Sequence, residues 1–315
     1  MNNYKEELDK YASLAVEVGV NVQPGQTLVI TAPVSAAEFV RKVVKRAYEI
    51  GAKNVHVEWN DDVVTRTKYE LAPDEAFLDF PMWRAKGWEE MAANGAAFLA
   101  IIAANPDLLK GIPSQRIKDA TKASGTAMQA YRNYAMADKI AWSIVAVPSK
   151  AWADKVFPSV DENERIHTLW EAIFQATRVD LADPVQAWRE HTDILDSKAD
   201  HLNERKFKAL HYTAPGTDLT IELAKNHKWV SAGSYNEQGT LFIANMPTEE
   251  VFTAPLKSGV NGTVSSTKPL SYAGNLIENF SFTFKDGRII DYSAEQGYET
   301  LKGLIETDEG SQFLG

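Results

Sequence analysis

The stretch that decides the fold is "TLVITAP", residues 27–33, followed by "SAAEFVRKVVKRAYEIGAK", residues 35–53, and "NVHVEW", residues 54–59. The outer pieces are short, apolar and rich in β-branched residues, which is typical of strands. In the middle piece Ser35 precedes Glu38 at the spacing of a capping box, and Gly51 is a typical helix stop. This strand–helix–strand pattern predicts two parallel strands joined by a crossover helix.

The same alternation continues along the first 150 residues. The segments "AAFLAIIAA" (96–104) and "KIAWSIVAVP" (139–148) are continuous apolar runs, each followed by helix-prone sequence. Continuous apolar strands are typical of a parallel sheet with helices on both faces. Neither G-x-G-x-x-G nor G-x-x-x-x-G-K-[ST] occurs, so we predict an α/β, Rossmann-like parallel sheet without a nucleotide-binding signature.

The pattern changes in the second half of the chain. Residues 160–206 look helical and polar, with a favourable helix start where Pro184 follows Asp183. Beyond them lie short strands separated by turn residues, and Asp286-Gly287 is a strong hairpin signal. We therefore predict an α/β amino-terminal domain with a helical connector at 1–206, and a mostly β (α+β) domain at 207–315.

Composition narrows the function classes. The 315 residues are 44% hydrophobic and 24% charged, as in ordinary globular proteins, and the net charge is −10. This charge disfavours nucleic acid and membrane surfaces as partners. The chain has no cysteine and no signal-peptide pattern at its amino terminus, so we expect a cytoplasmic protein.

Most familiar chemical motifs are absent. The sequence has no H-E-x-x-H zinc motif and no G-x-S-x-G nucleophile elbow. His191 and His201 fall in a polar helical segment, where we expect solvated side chains. Most of the eight tryptophans, such as Trp83 and Trp188, fall in helical segments, and we expect core packing to outweigh ligand stacking.

Two adjacent carboxylates remain, Glu249 and Glu250 in "NMPTEEVFTAP", residues 245–255. They could be a solvated pair at the end of a strand. Pro247 fixes the backbone just before them, and apolar sequence flanks them on both sides. Successive strand residues point to opposite faces, so at most one of the acids faces a given cleft. A carboxylate at the rim of a buried sheet needs a cation, a metal or hydrogen-bond donors.

The whole chain resembles a known family, the bacterial metalloaminopeptidases that include aminopeptidases S, T and II. The resemblance rests on "NMPTEEVFTAP", on "GTVSSTKPLSYAGNLIENFSFTFKDGRIID" (262–291), on "LKGLIETDEGSQFLG" (301–315) and on the opening "GVNVQPGQTLVI" (19–30). It implies an α/β amino-terminal domain and a carboxy-terminal catalytic domain. It also implies two divalent metal ions (cobalt, zinc or magnesium), homodimers, and removal of amino-terminal residues from peptides that have a free amino terminus.

Carried over residue by residue, the resemblance makes Glu250 a metal ligand and gives Glu249 no such role. The family's further ligands are a glutamate in an L-G-E element, two histidines and an aspartate. This sequence supplies Leu314-Gly315 of that element, so the resemblance implies a catalytic domain that is truncated before most of its ligands. No catalytic residue is predicted.

Two other functions stay open on the sequence. One is a truncated, non-catalytic relative that binds peptides or forms dimers. The other, less favoured, is an unrelated α/β protein that binds a small ligand.

Overall fold

A computed structural model of the protein describes residues 2–272 and 275–314. Gly315 of the predicted Leu314-Gly315 element lies outside the described residues. The α-helices are α1 (Asn2–Leu14), α2 (Ala37–Glu49), α3 (Asp62–Leu71), α4 (Met82–Ala93), α5 (Ser114–Ala127), α6 (Gln129–Met136), α7 (Lys150–Val156), α8 (Arg165–Ala176), α9 (Pro184–Arg205) and α10 (Tyr298–Ile305). The strands are β1 (Thr27–Pro33), β2 (Asn54–Asn60), β3 (Ala97–Ile102), β4 (Trp142–Ala146), β5 (Ala209–Ala214), β6 (Thr217–Leu223), β7 (Gly233–Tyr235), β8 (Leu241–Ile243), β9 (Pro255–Ser265), β10 (Leu270–Tyr272), β11 (Asn275–Ile277), β12 (Ser281–Lys285) and β13 (Arg288–Ser293).

By compactness the chain divides into two units, and each is described by itself. The first comprises Met1–Ile194 and Ala232–Glu249, and the second comprises Leu195–Ser231 and Glu250–Gly315. Each unit therefore contains two separate segments of the chain. The boundary predicted at 206/207 marks where the sequence pattern changes, and as a domain boundary it stays a prediction.

The parallel sheet of the first unit is confirmed. Its strand order is β2-β1-β3-β4, and the three neighbouring pairs are all parallel. Leu28 of β1 stands opposite Val55 of β2 on one side and Ala97 of β3 on the other. β1 is central and buried along most of its length, which explains why its sequence is apolar without alternation.

Helices cover both faces of this sheet, as predicted. On one face Tyr11 of α1 stacks on Phe39 of α2 with ring centroids 4.9 Å apart, and the fully buried Trp188 belongs to the same core. On the other face Phe98 of β3 packs against Trp88 of α4. The expectation of tryptophan burial holds for Trp188 and is wrong for Trp83, which is 78% exposed.

The capping box predicted for α2 is not formed. Residues 34–36 make a 3₁₀ turn after β1, so α2 begins at Ala37 with Ala36 at its N-cap and no side-chain cap. That turn shifts the helix start two residues beyond Ser35. The predicted stop is confirmed, because α2 ends at Glu49 and Gly51 follows with φ of 98°.

The helix predicted at Pro184 is also confirmed. α9 begins there, and the Oδ1 atom of Asp183 accepts a hydrogen bond of 3.0 Å from the backbone amide of Gln186. No helix within residues 2–272 and 275–314 is long and apolar enough to cross a membrane.

The second unit is built on an antiparallel sheet of order β13-β12-β9-β6-β5. The hairpin predicted at Asp286-Gly287 joins β12 and β13, and both turn residues have positive φ, 51° and 82°. That is the turn geometry that matches the twist of the flanking strands. One core cluster comprises Leu219, Val260 and Phe284, and α10 packs in another with Ile277.

A substitution at Gly262, in the central strand β9, tests the packing of this sheet. Its φ is 118°, and a Cβ atom there would stand 2.0 Å from the carbonyl oxygen of Asp218 on β6. We expect Gly262→Ala to lower the free energy of unfolding by about 2 kcal/mol or more, measured by urea denaturation. Gly303→Ala in α10 is the control, because nothing lies within 4 Å of its added methyl group. Equal unfolding midpoints for the two variants would contradict the expectation.

Candidate functional site

The segment that leads to the two glutamates is attached to the parallel sheet. The amide of Ile144 in β4 donates to the carbonyl of Ala244 at 2.9 Å, and the amide of Met246 donates to the carbonyl of Ile144 at 3.0 Å. The chain thus runs parallel to β4 over a short bridge, with Met246 buried. The Met246–Pro247 peptide bond that follows is cis.

Glu249 is bound by a cation of its own unit. The guanidinium Nη2 of Arg178 donates to Oε1 of Glu249 at 2.8 Å. The same nitrogen lies 3.1 Å from Nδ1 of His191, and Nε2 of His191 lies 2.9 Å from the carbonyl oxygen of Thr248. One arginine therefore links Glu249 to a histidine that also contacts the backbone of the preceding residue.

The donor pattern determines the tautomer of His191. A guanidinium can only donate, so Nδ1 of His191 accepts from Arg178 and Nε2 carries the proton that is given to Thr248. Trp188 supports both groups, since its ring lies 5.3 Å from the Arg178 guanidinium carbon and 5.3 Å edge-on from the imidazole. The prediction that His191 is solvated is wrong, because the residue is 8% exposed.

Glu250 is in a different situation. The next residue, Val251, packs with Ala199, Leu223 and Trp229 in a core cluster of the second unit. Glu250 is exposed and has no hydrogen bond or ion pair to any residue that the structure describes. Of the two acids, Glu250 is the one left available for an external ligand.

The described residues do not by themselves fit a metal centre. Protein metal sites need three or more ligands close together, whereas no group of three or more His, Asp or Glu residues occurs in the described part of the chain. His167 and Glu171 are one helical turn apart on α8 and 3.5 Å from each other, but both are about 60% exposed and no third ligand joins them there. Glu250 therefore stands as a single candidate ligand.

Arg178 and His191 are site residues that the sequence did not reveal. Arg178 has φ of 62° in the turn between α8 and α9, and it reaches a glutamate 71 positions along the chain. Nothing in the local sequence indicates such a contact. The spacing of Trp188 and His191, three residues apart on one helix face, is the signal that could have suggested a buried histidine.

The comparisons with known proteins agree with one another. The family described as thermophilic metalloprotease (M29) matches residues 4–315. Aminopeptidase AmpS of Bacillus subtilis is 59% identical over all of this chain and 77% of its own length, and Aminopeptidase 2 of Geobacillus stearothermophilus is 54% identical over all of this chain and 76% of its length. The solved structure of wild-type AmpT from Thermus thermophilus superposes with a TM-score of 0.94 at 38% identity, over 99% of this chain and 77% of that one.

The chain belongs to the thermophilic metalloprotease (M29) family. The resemblance inferred from "NMPTEEVFTAP" and the other segments is thereby confirmed, and with it the α/β fold class. Family membership places the protein among metal-dependent peptidases, which are hydrolases.

The contacts of Arg178 predict that its substitution costs more stability than substitution of Glu249. Arg178→Met removes the cation over Trp188 and leaves His191 without a donor at Nδ1. We therefore expect it to lower the free energy of unfolding by about 1–3 kcal/mol. Glu249→Gln keeps an oxygen acceptor and alters a carboxylate that is 64% exposed, so its cost stays below about 1 kcal/mol. Denaturant unfolding followed by tryptophan fluorescence measures both. A loss for Glu249→Gln as large as that for Arg178→Met would contradict this ranking, because the ion pair that both substitutions break would then supply the stabilisation.

Proposed function

We propose that the protein is a metal-dependent aminopeptidase that releases amino-terminal residues from peptides by two-metal hydrolysis. In this proposal Glu250 supplies one carboxylate ligand of the metal site. The observation that carries the proposal is family membership over residues 4–315, with relatives whose names are those of aminopeptidases. This chain spans 76–77% of the length of those two relatives.

The geometry supports Glu250 over Glu249 for this role. A carboxylate ligand must give its lone pairs to the metal, and Glu249 already gives one oxygen to Arg178 at 2.8 Å. The positive charge of that guanidinium also opposes a metal cation at the same carboxylate. Glu250 has neither restriction, and its exposed carboxylate is free to coordinate a hard or borderline cation such as cobalt, zinc or magnesium.

The proposal includes three finer points. The substrates are peptides with a free amino terminus, and the net charge of −10 does not oppose the approach of a cationic amine. The protein acts in the cytoplasm, and it works as a homodimer. Sedimentation of the purified protein tests the dimer directly.

The alternative is a non-catalytic relative that binds peptides or forms dimers. It is favoured by one observation, the lack of any grouped metal ligands among the described residues. A relative of that kind would bind peptide without turning it over, whatever metal is added.

Substitution of the two neighbouring glutamates distinguishes their roles. In the native protein we expect Glu250→Gln to lower kcat/KM for a leucine p-nitroanilide by at least about 100-fold, because a neutral amide is a poor ligand for a divalent cation. Glu249→Gln is the matched control and should stay within about threefold of the parent. Equal effects of the two substitutions would remove Glu250 from the proposed site.

Metal removal tests the cofactor itself. Dialysis against a chelator should abolish hydrolysis, and addition of Co²⁺, Zn²⁺ or Mg²⁺ should restore it in the parent protein. Restoration in Glu250→Gln should require a higher metal concentration or fail. Full activity after exhaustive chelation would overturn metal dependence, and no activity with any of the three ions would favour the non-catalytic alternative.

A further inference from the structure

A cavity of about 670 Å³ lies in the first unit, at a position where α/β proteins bind ligands. It is lined by residues that directly follow each of the four parallel strands. Val34 follows β1, Asp61 follows β2, Ala103 follows β3 and Val147 follows β4. β2 and β3 flank β1 on opposite sides, so the chain reverses its direction of winding at β1, and the crevice outside such a switch point is the usual ligand site of an open parallel sheet.

One wall of the cavity is apolar and aromatic. Trp170 of α8 meets Tyr4 of α1 edge-on, with ring centroids 5.8 Å apart, and it lies 6.5 Å from the ring of Phe39. Leu8 of α1 is part of the same wall. These rings pack against the core, and an apolar wall of this kind suits a ring or a branched aliphatic group.

The lining of the cavity includes three carboxylates, those of Glu38, Asp61 and Asp62, that have no ion-pair partner among the described residues. Asp61 accepts from the amide of Val64 at 3.0 Å, and Asp62 accepts from the side-chain amide of Asn105 at 3.1 Å, so the partners of both are neutral. Glu38 has no ion-pair partner within the described ranges. Burial and, after it, the charge of Glu38 raise the pKa of Tyr4 on the aromatic wall.

The one lysine on the lining is already neutralised. Lys150 contacts Asp154 at 2.7 Å and Glu162 at 2.8 Å. Arg165 also binds Asp154, at 2.9 Å. The first turn of α2, where a phosphate would sit in a nucleotide-binding sheet, is occupied by Glu38. This balance of charge disfavours an anion and favours a cation with an apolar body.

We propose that this cavity binds a protonated primary amine joined to an aromatic or branched aliphatic group, at a site separate from the proposed metal ligand. Two sources share this chemistry. One is a free arylalkylamine, and the other is the amino terminus of a peptide that begins with a hydrophobic residue. In both cases the apolar group lies against Trp170, and the ammonium group lies among Glu38, Asp61 and Asp62.

The test is a calorimetric titration of the native protein with 2-phenylethylamine. We expect saturable binding, and binding at least about tenfold weaker for N-acetyl-2-phenylethylamine, which has the same ring and no charge. A Phe-initiated dipeptide with an N-methylated peptide bond forms the second arm. Tighter binding of the dipeptide identifies a peptide amino terminus as the natural ligand, and binding of the free amine alone identifies a small amine.

Charge-neutralising variants locate the site. Glu38→Gln should weaken amine binding about threefold to tenfold, and Asp61→Asn, which keeps a capping side chain at α3, should act in the same direction. Glu49→Gln is the control, because it makes the same chemical change at the other end of α2, away from the cavity. Circular dichroism confirms that each variant is folded.

The outcome is independent of the proposed hydrolysis. Glu250→Gln should leave amine binding unchanged even where it abolishes turnover. The proposal is overturned if the acetylated amine binds as tightly as the free amine, if no saturable binding occurs, or if Glu38→Gln and Asp61→Asn both bind like the parent. Loss of amine binding only in Glu250→Gln would assign the amine to the proposed metal site instead.

Discussion

The burial of β1 between two parallel neighbours is the constraint on which the first unit depends. A strand in this position has no solvent-facing side, so Leu28, Val29 and Ile30 are all apolar and the helices on both faces must cover them. Parallel pairing also brings the carboxyl ends of β1, β2, β3 and β4 to one edge of the sheet. The cavity at that edge follows from this pairing and from the strand order, because the loops there leave in opposite directions.

The short bridge beside β4 attaches residues 244–246, which are distant in sequence, to the same sheet. Ala244 and Met246 use the free edge of β4 for backbone hydrogen bonds, which both protects that edge and directs the following residues. Thr248 and Glu249 are then within reach of His191 and Arg178. Glu249 is bound to Arg178 as a result of this attachment. Glu250 has no partner in the described part of the chain. The two glutamates are therefore neighbours in sequence but differ in their chemical surroundings.

The fold was largely predictable because its signals are local. Continuous apolar strands, the glycine at 51, Pro184 and the Asp286-Gly287 turn each act within a few residues, and each prediction is confirmed. The start of α2 was not predictable from Ser35 and Glu38, since a 3₁₀ turn competes for the same residues. The contacts of Arg178 with Glu249 and the burial of His191 depend on long-range packing and a left-handed backbone, for which single-sequence patterns carry no signal.

The family resemblance and the structure give different information about the two neighbouring glutamates. The resemblance implies Glu250 as a ligand without any geometric argument, and this stays a prediction. The structure shows that Arg178 already binds Glu249, and its charge would repel a second cation there. The cavity beside Glu38 had no signature at all, because its residues are contributed by six separate segments and none forms a motif. The cavity and Glu250 are alike in charge, because both present carboxylates without a cationic partner among the described residues. They differ in what surrounds the charge. An aromatic wall favours an organic cation, while the exposed carboxylate of Glu250 is compatible with the metal-ligand role that we propose for it.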